Sequence, residues 1–203
     1  MQKAAAFLLL LLICMPIVLA AQEENSPNNP DWDYYYDDVN SKGDQTFIIS
    51  LGAIFPTIFR NNGNTIDHKF TPPVGGTGSL SYNYYITKHI FTGIEVDGMF
   101  LRTLGNNMLF IIPVGVRGGY QFNLSRFEFP ISAVFGMVWH RYLNQGYFGI
   151  FAKAGGGAFF RATNNWSFGL STNWYWFPQW TKPESESVYG NMIDVILCAR
   201  YHF

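Results

Sequence analysis

From Gln45 to the last residue, apolar positions alternate with polar or small ones at a period of two. Eight runs hold the pattern: 46–56, 74–86, 89–101, 108–122, 127–140, 147–162, 166–177 and 192–203. In the run 108–122, Phe110, Ile112, Val114, Val116, Tyr120 and Phe122 share one face, and Pro113, Gly115, Arg117, Gly119 and Gln121 share the other. The run 89–101 sets Ile90, Ile94, Val96 and Phe100 against Glu95 and Asp97. The last run sets Ile193, Val195, Leu197, Ala199, Tyr201 and Phe203 against Asp194, Arg200 and His202. Successive side chains of a strand point to opposite faces, so this period predicts strands. Three connections read as tight, at 87–88, 123–126 and 163–165. Four read as longer, at 57–73, 102–107, 141–146 and 178–191. Short and longer connections in alternation predict an up-and-down antiparallel meander.

Composition decides which face meets what. Charged residues are 13% of the 203-residue chain and aromatics 18%, against a usual charged share of about 25%. The charged strand face is rich in Gly and Ser and too poor in charge to be a solvated exterior. It suits a narrow interior, and the apolar face then meets lipid. Lipid tolerates no unpaired strand edge, so the sheet must close. The fold class expected is all-β: an eight-stranded antiparallel up-and-down transmembrane β-barrel over residues 45–203. Closure also explains why the strand pattern of the last run reaches the final residue, since that strand must pair with the first. Aromatic positions predict two girdles. One is Phe122, Phe127, Phe160, Trp166, Tyr201 and Phe203; the other is Trp139, Trp174, Trp176 and Trp180.

The chain before the barrel divides in two. Residues 1–20, with Lys3, the apolar stretch around "FLLLLLIC" and the small Ala20 and Ala21, read as a secretory signal peptide. A retained anchor is the alternative, although Pro16 interrupts the run; lipidation at Cys14 is another. Residues 21–44 hold seven of the fourteen acidic residues and read as an acidic flexible periplasmic tail. Without it the barrel is mildly basic, with seven acids against eleven Lys and Arg.

Eight strands leave a lumen that side chains fill. Charges inside it should pair, because an unpaired buried charge is costly. One lumen network is expected from Glu95, Asp97, Arg117, Glu128, Lys153, Arg161, Tyr175, Asp194 and Arg200. The turns put Glu128 opposite Arg161, Arg117 diagonal to Glu95, and Lys153 and Asp194 on either side of Tyr175. No hydrophobic gate is marked along the lumen face. The four histidines are scattered without ligand spacing, so no metal site is expected. "GGTGS" and "AGGGA" lack the lysine and helix of a phosphate-cradling loop, and their glycines read as strand bending or close packing.

Residues 45–203, with "SLSYNYYITKHIFTGIEVD", "PVGVRGGYQF" and the terminal Phe203, resemble the small eight-stranded bacterial outer-membrane barrels of the OmpX, OmpA-transmembrane and OmpW type. The resemblance implies that Leu197, Ala199, Tyr201 and Phe203 form the C-terminal signal read by the barrel assembly machinery. It implies an integral outer-membrane protein with a plugged, charge-networked lumen, acting as a scaffold or surface-interaction protein through its outer loops. The alternative is a narrow channel for small hydrophobic solutes of the OmpW kind. No enzyme is expected: barrels of the lipid A deacylase type use a His-x-Ser pair, which this chain lacks. Expected partners are outer-membrane lipid, the assembly machinery, and an extracellular ligand at loops 57–73 and 178–191. No cofactor and no nucleic acid are expected, and a monomer is. Both the tail and the C-terminus are expected in the periplasm.

Overall fold

The structure, a computed structural model, describes residues 40–61, 64–66, 73–102, 107–142, 145–179 and 188–203. The leader, most of the acidic tail and Trp180 lie outside them. Nine strands follow in chain order: β1 (Gln45–Asn61), β2 (Asn64–Ile66), β3 (Gly75–Tyr85), β4 (Ile90–Arg102), β5 (Met108–Leu124), β6 (Phe127–Tyr142), β7 (Gln145–Arg161), β8 (Trp166–Gln179) and β9 (Val188–His202). All pairings are antiparallel. β3 to β9 pair in sequence, β3 pairs with β1, and β1 pairs with β9. That ring of eight staves is a closed barrel; β2 is a three-residue arm paired to the end of β1 alone.

Closure is long and regular. Thr46 faces His202, Leu51 faces Leu197 and Ile54 faces Asp194. The Phe203 N–H donates to the Gln45 carbonyl at 3.0 Å. The last strand is therefore held on both sides, by β1 and by β8. At the same end, residues 41–44 fold under β3, with the Gly43 N–H donating to the Tyr85 carbonyl at 2.9 Å.

Three differences from the sequence reading shape the loop end and the register, while the other strand ends move by one or two residues. β1 continues five residues beyond Pro56, because a bulge between Pro56 and Phe59 lets Thr57 and Ile58 both oppose Asn191. The Thr57 hydroxyl donates to the Asn191 carbonyl at 2.9 Å, and the Asn191 amide donates to the Ile58 carbonyl at 3.0 Å. These bonds replace the ladder bonds that the proline and bulge interrupt. β9 starts at Val188, four residues earlier than read, because it pairs with this extension. The connection read as a longer loop at 141–146 is only residues 143–144, since Arg141 faces Gly146 and Tyr142 faces Gln145. It is as short as the turn at Ser125 and Arg126, so connection length does not alternate strictly.

One end of the barrel bears the two chain ends of the barrel region and the turns 86–89, 125–126 and 162–165; call it the terminal end. The other is the loop end. The outward face is apolar along all eight staves, with Leu51, Val116 and Phe148 each more than 60% exposed. At the terminal end its aromatics touch in a chain: Phe127 on Phe160 at 5.6 Å, Trp166 on Tyr201 at 5.0 Å, and Tyr201 on Phe203 at 4.9 Å. At the loop end Trp139 and Trp174 face outward, and Trp176 stacks on Tyr189 at 6.4 Å.

Candidate functional site: a layered lumen

The inward faces of the staves fill the lumen in four layers. Nearest the loop end is an apolar layer of Ile54, Met99, Leu101, Ile111, Val138, Phe151, Phe177 and Met192, all at most 2% exposed. A cavity of about 40 Å³ lies above it, between Phe59, Leu109, His140 and Gln179.

Below it is the first charged layer. Glu95 on β4 accepts from Lys153 Nζ at 2.5 Å, Arg117 Nη1 at 2.8 Å and the Ser81 hydroxyl at 2.8 Å. Lys153 also lies 3.3 Å from Asp97 Oδ1. Its ammonium sits 4.8 Å from the centre of the Tyr175 ring. The Tyr175 hydroxyl donates to Asp194 Oδ2 at 2.9 Å, and the other Asp194 oxygen accepts from the Asn173 N–H and side-chain amide at 2.9 and 2.8 Å. Register explains the grouping: Lys153 faces Tyr175, Asn173 faces Asp194, and Arg117 is diagonal to Glu95. β4 and β7 are three staves apart, so Lys153 reaches Glu95 across the lumen rather than along the wall.

The third layer is apolar again, with Ile48, Phe159, Ile196 and Cys198. On β9, Ile196 and Cys198 are the two inward positions between Asp194 and Arg200. The fourth layer, at the terminal end, centres on Glu128. It accepts from Arg200 Nη1 at 2.6 Å and from the Ser167 hydroxyl at 3.3 Å, with Arg161 Nη1 at 3.6 Å. Arg200 also donates to Gln121 Oε1, as does the Tyr85 hydroxyl, at 2.8 and 2.7 Å. The Arg200 guanidinium stacks over Phe159 at 3.9 Å. His202 Nε2 lies 2.8 Å from the Ser167 hydroxyl.

The nine residues named from the sequence all lie on the inward face. They do not form one network. Glu95, Asp97, Arg117, Lys153, Tyr175 and Asp194 meet in one layer, while Glu128, Arg161 and Arg200 meet in another. The sequence reading also set Glu128 opposite Arg161; in the ladder Glu128 faces Phe159, and Arg161 reaches Glu128 diagonally. The register is the same from Tyr142–Gln145 to Phe127–Phe160, so the two-residue connection at 143–144 sets Glu128 opposite Phe159 and leaves Arg161 two residues further on. Three carboxylates meet two cations in the first charged layer, and one carboxylate meets two guanidiniums in the second, so the excesses are opposite and cancel. Sequence reasoning missed Ser81, Tyr85, Gln121, Ser167 and Asn173, which complete the hydrogen bonding. It also missed the apolar layer, whose mark was apolarity on both faces near the loop end, as in "MFL" at 99–101 and "LFII" at 109–112. Leu197, Ala199, Tyr201 and Phe203 lie on the outward face of β9 and beyond its end.

A protein-family model matches residues 23–201, which takes in the whole barrel up to Tyr201. Among solved structures, neisserial surface protein A aligns with 81% of this chain and 99% of its own length, at a TM-score of 0.55 and 11% identity. The chain has the fold of the small eight-stranded outer-membrane β-barrels. OprG, an outer-membrane protein of Pseudomonas aeruginosa, aligns with 81% of this chain and 98% of its own, at a TM-score of 0.50 and 9% identity. At such identities the likeness concerns the fold. In sequence, two uncharacterized proteins of Treponema pallidum (strain Nichols) are similar. One is 34% identical over 95 residues, 47% of this chain; the other is 25% identical over 126 residues, 58% of this chain. In each case the match spans 43% of the relative's length.

Proposed function

We propose that this protein is a non-enzymatic outer-membrane scaffold whose lumen is sealed and whose interactions are made by its outer wall and loop end. The observation that carries this reading is the succession of layers: Ile111 with Phe151, then Tyr175 with Asp194, then Arg200 block the lumen at three levels, each at most 1% exposed. A water path would have to displace two apolar layers and break two ion-pair layers. On this reading the terminal end lies in the periplasm and the loop end at the cell surface, where an extracellular ligand would meet it; most of the loops expected to bind it, at 57–73 and 178–191, lie outside the described residues. The outward row Leu197, Ala199, Tyr201 and Phe203 is offered to the assembly machinery before β9 pairs.

The competing reading, solute exit sideways through the wall, needs a weak seam. The glycine-rich stretch of β7 is the obvious place for one. Its ladder with β8 nevertheless runs unbroken from Ala152–Trp176 to Arg161–Ser167, and its ladder with β6 misses two pairs, beside Pro130, which has no N–H to donate, and resumes in the same register. The spaces left by Gly155 and Gly157 are filled by Asn173 and Ser171 of the next stave. Both features favour a sealed wall. The test is planar-bilayer conductance and liposome flux with protein whose folding is verified by a boiled-against-unboiled mobility shift. Folded protein that adds neither conductance nor flux supports the scaffold. Reproducible conductance steps or solute flux would refute it.

A further inference from the structure

Among the described strand residues, charge on the outer wall is one-sided. All four carboxylates of the described strand side chains, Glu95, Asp97, Glu128 and Asp194, are buried in the lumen. The outward cations of the same strands are Arg60 on β1, Arg102 on β4 and Arg141 on β6, all exposed and all at the loop end. No strand carboxylate shares their face.

Two apolar grooves start beside these arginines. Arg141 borders one of about 480 Å³, walled by Met108, Phe110, Ile112 and Trp139. Arg141 faces Phe110 and Trp139 faces Ile112, so the cation stands above the indole on one stave, at the loop side. Arg102 faces Met108 from the other flank of β5, which puts guanidiniums on both sides of that groove's mouth. Gly146, opposite Arg141, leaves the space into which the Trp139 indole leans. The second groove, about 740 Å³, runs over β8, β9 and β1 between Arg60, Ile58, Trp174, Trp176, Tyr189 and Ile193. The β1 bulge makes it by turning Ile58 outward beside Arg60.

Each groove thus has an apolar slot along the wall, aromatic sides at the depth where indoles prefer the membrane interface, and a guanidinium at the watery end. A guanidinium offers paired donors that match a phosphate. A lone exposed arginine holds a free anion weakly, whereas the slot adds apolar burial that only an acyl chain supplies. We propose that these two grooves are binding sites for an anionic phospholipid, with an acyl chain in the slot and the phosphate on Arg60 in one and on Arg102 and Arg141 in the other. This rests on the reading of the barrel as a sealed membrane scaffold whose wall meets lipid.

The test is the lipid retained by refolded full-length protein from mixed micelles of phosphatidylglycerol and phosphatidylcholine in equal amounts, measured by native mass spectrometry. Enrichment of phosphatidylglycerol by about fivefold is expected, the factor for about 1 kcal/mol per basic residue near an anionic surface. The triple variant R60Q/R102Q/R141Q should retain the two lipids equally, with its mobility shift intact. K88Q/R126Q, at the terminal end, should keep the enrichment. Equal retention by the wild type, enrichment surviving the triple variant, or loss on adding millimolar inorganic phosphate would overturn the proposal. Conductance of the same samples separates the two readings: a conducting barrel that still enriches phosphatidylglycerol sinks the sealed scaffold alone, and a silent barrel without enrichment sinks the grooves alone.

Discussion

Glu128 is the sharpest place to test the lumen. Its carboxylate is 1% exposed and faces Arg200 at 2.6 Å, Arg161 at 3.6 Å and the Ser167 hydroxyl at 3.3 Å. Glu128→Ala removes the only carboxylate of that layer among the described residues and leaves Arg200 buried between Phe159 and Gln121. Breaking one side of a buried ion pair costs about 3–5 kcal/mol, because the remaining charge is desolvated without compensation. Gln121 still accepts from Arg200, which places the expectation at the lower end, about 3 kcal/mol. With a urea dependence of about 2 kcal/mol per molar, the unfolding midpoint should fall by about 1.5 M. The assay is urea unfolding in lipid vesicles, followed by tryptophan fluorescence and the mobility shift. Glu128→Leu combined with Arg200→Met removes both charges and should recover most of the loss, since an apolar pair of similar volume often matches a buried ion pair. Arg161 has an interaction beyond its 3.6 Å pair with Glu128. A single variant within about 0.5 kcal/mol of wild type, or a double variant as unstable as the single, would refute the claim that an unpaired charge sets the cost.

Three further outcomes are expected. Lys153→Met leaves Asp97 without its cation while Glu95 keeps Arg117, so it should cost about 3–5 kcal/mol in the same assay, and adding Asp97→Asn should restore part of it. Gly155→Ala puts a methyl against the Thr172 carbonyl and the Asn173 side chain and should cost about 1–3 kcal/mol. Gly98→Ala, where nothing lies within 4 Å, should stay within about 0.5 kcal/mol, and equal costs for the two would refute the packing account. Leu51→Cys with Leu197→Cys, in a Cys198→Ala background, should cross-link under oxidant because the two positions face each other across the closing seam, as a reducible shift in denatured mobility would reveal.

The fold was legible because the lipid imposes it twice. Lipid demands an apolar outward face, which wrote the period of two into β5 and β9. It also demands closure, which wrote that period to the last residue. The site was legible only in part. Charged side chains on the inner face announce themselves, so Glu95, Lys153 and Asp194 could be named. Which of them meet depends on shear and on the true length of connections such as 143–144, and neither has a mark in composition. Neutral partners such as Gln121 and Ser167 look like any polar strand residue. The run read as 46–56 ends on Pro56, but the Asn191 side chain satisfies the bulge that lets the strand pass it. The connection at 143–144 looked long because Gly146 and Gln145 resemble loop residues, although both pair in the ladder.

The layering also bears on what the molecule can do. The inner contacts join staves that are not neighbours: Glu95 with Lys153 links β4 to β7, Glu128 with Arg200 links β6 to β9, and Tyr85 with Gln121 links β3 to β5. Such braces resist flattening of the barrel, which ladder bonds between adjacent staves do not. A gated pore needs a lumen with two arrangements of similar free energy. Here, any rearrangement that opens a path must separate ion pairs in two layers of opposite charge excess and also expose two apolar layers. Those costs add at different levels of one lumen, so no single local change opens it. A wall made this rigid keeps Arg60, Arg102 and Arg141 at fixed height and spacing around the loop end. If these arginines hold an anionic lipid as proposed, preformed spacing of that kind lowers the binding cost, because the positioning is met in folding rather than in binding.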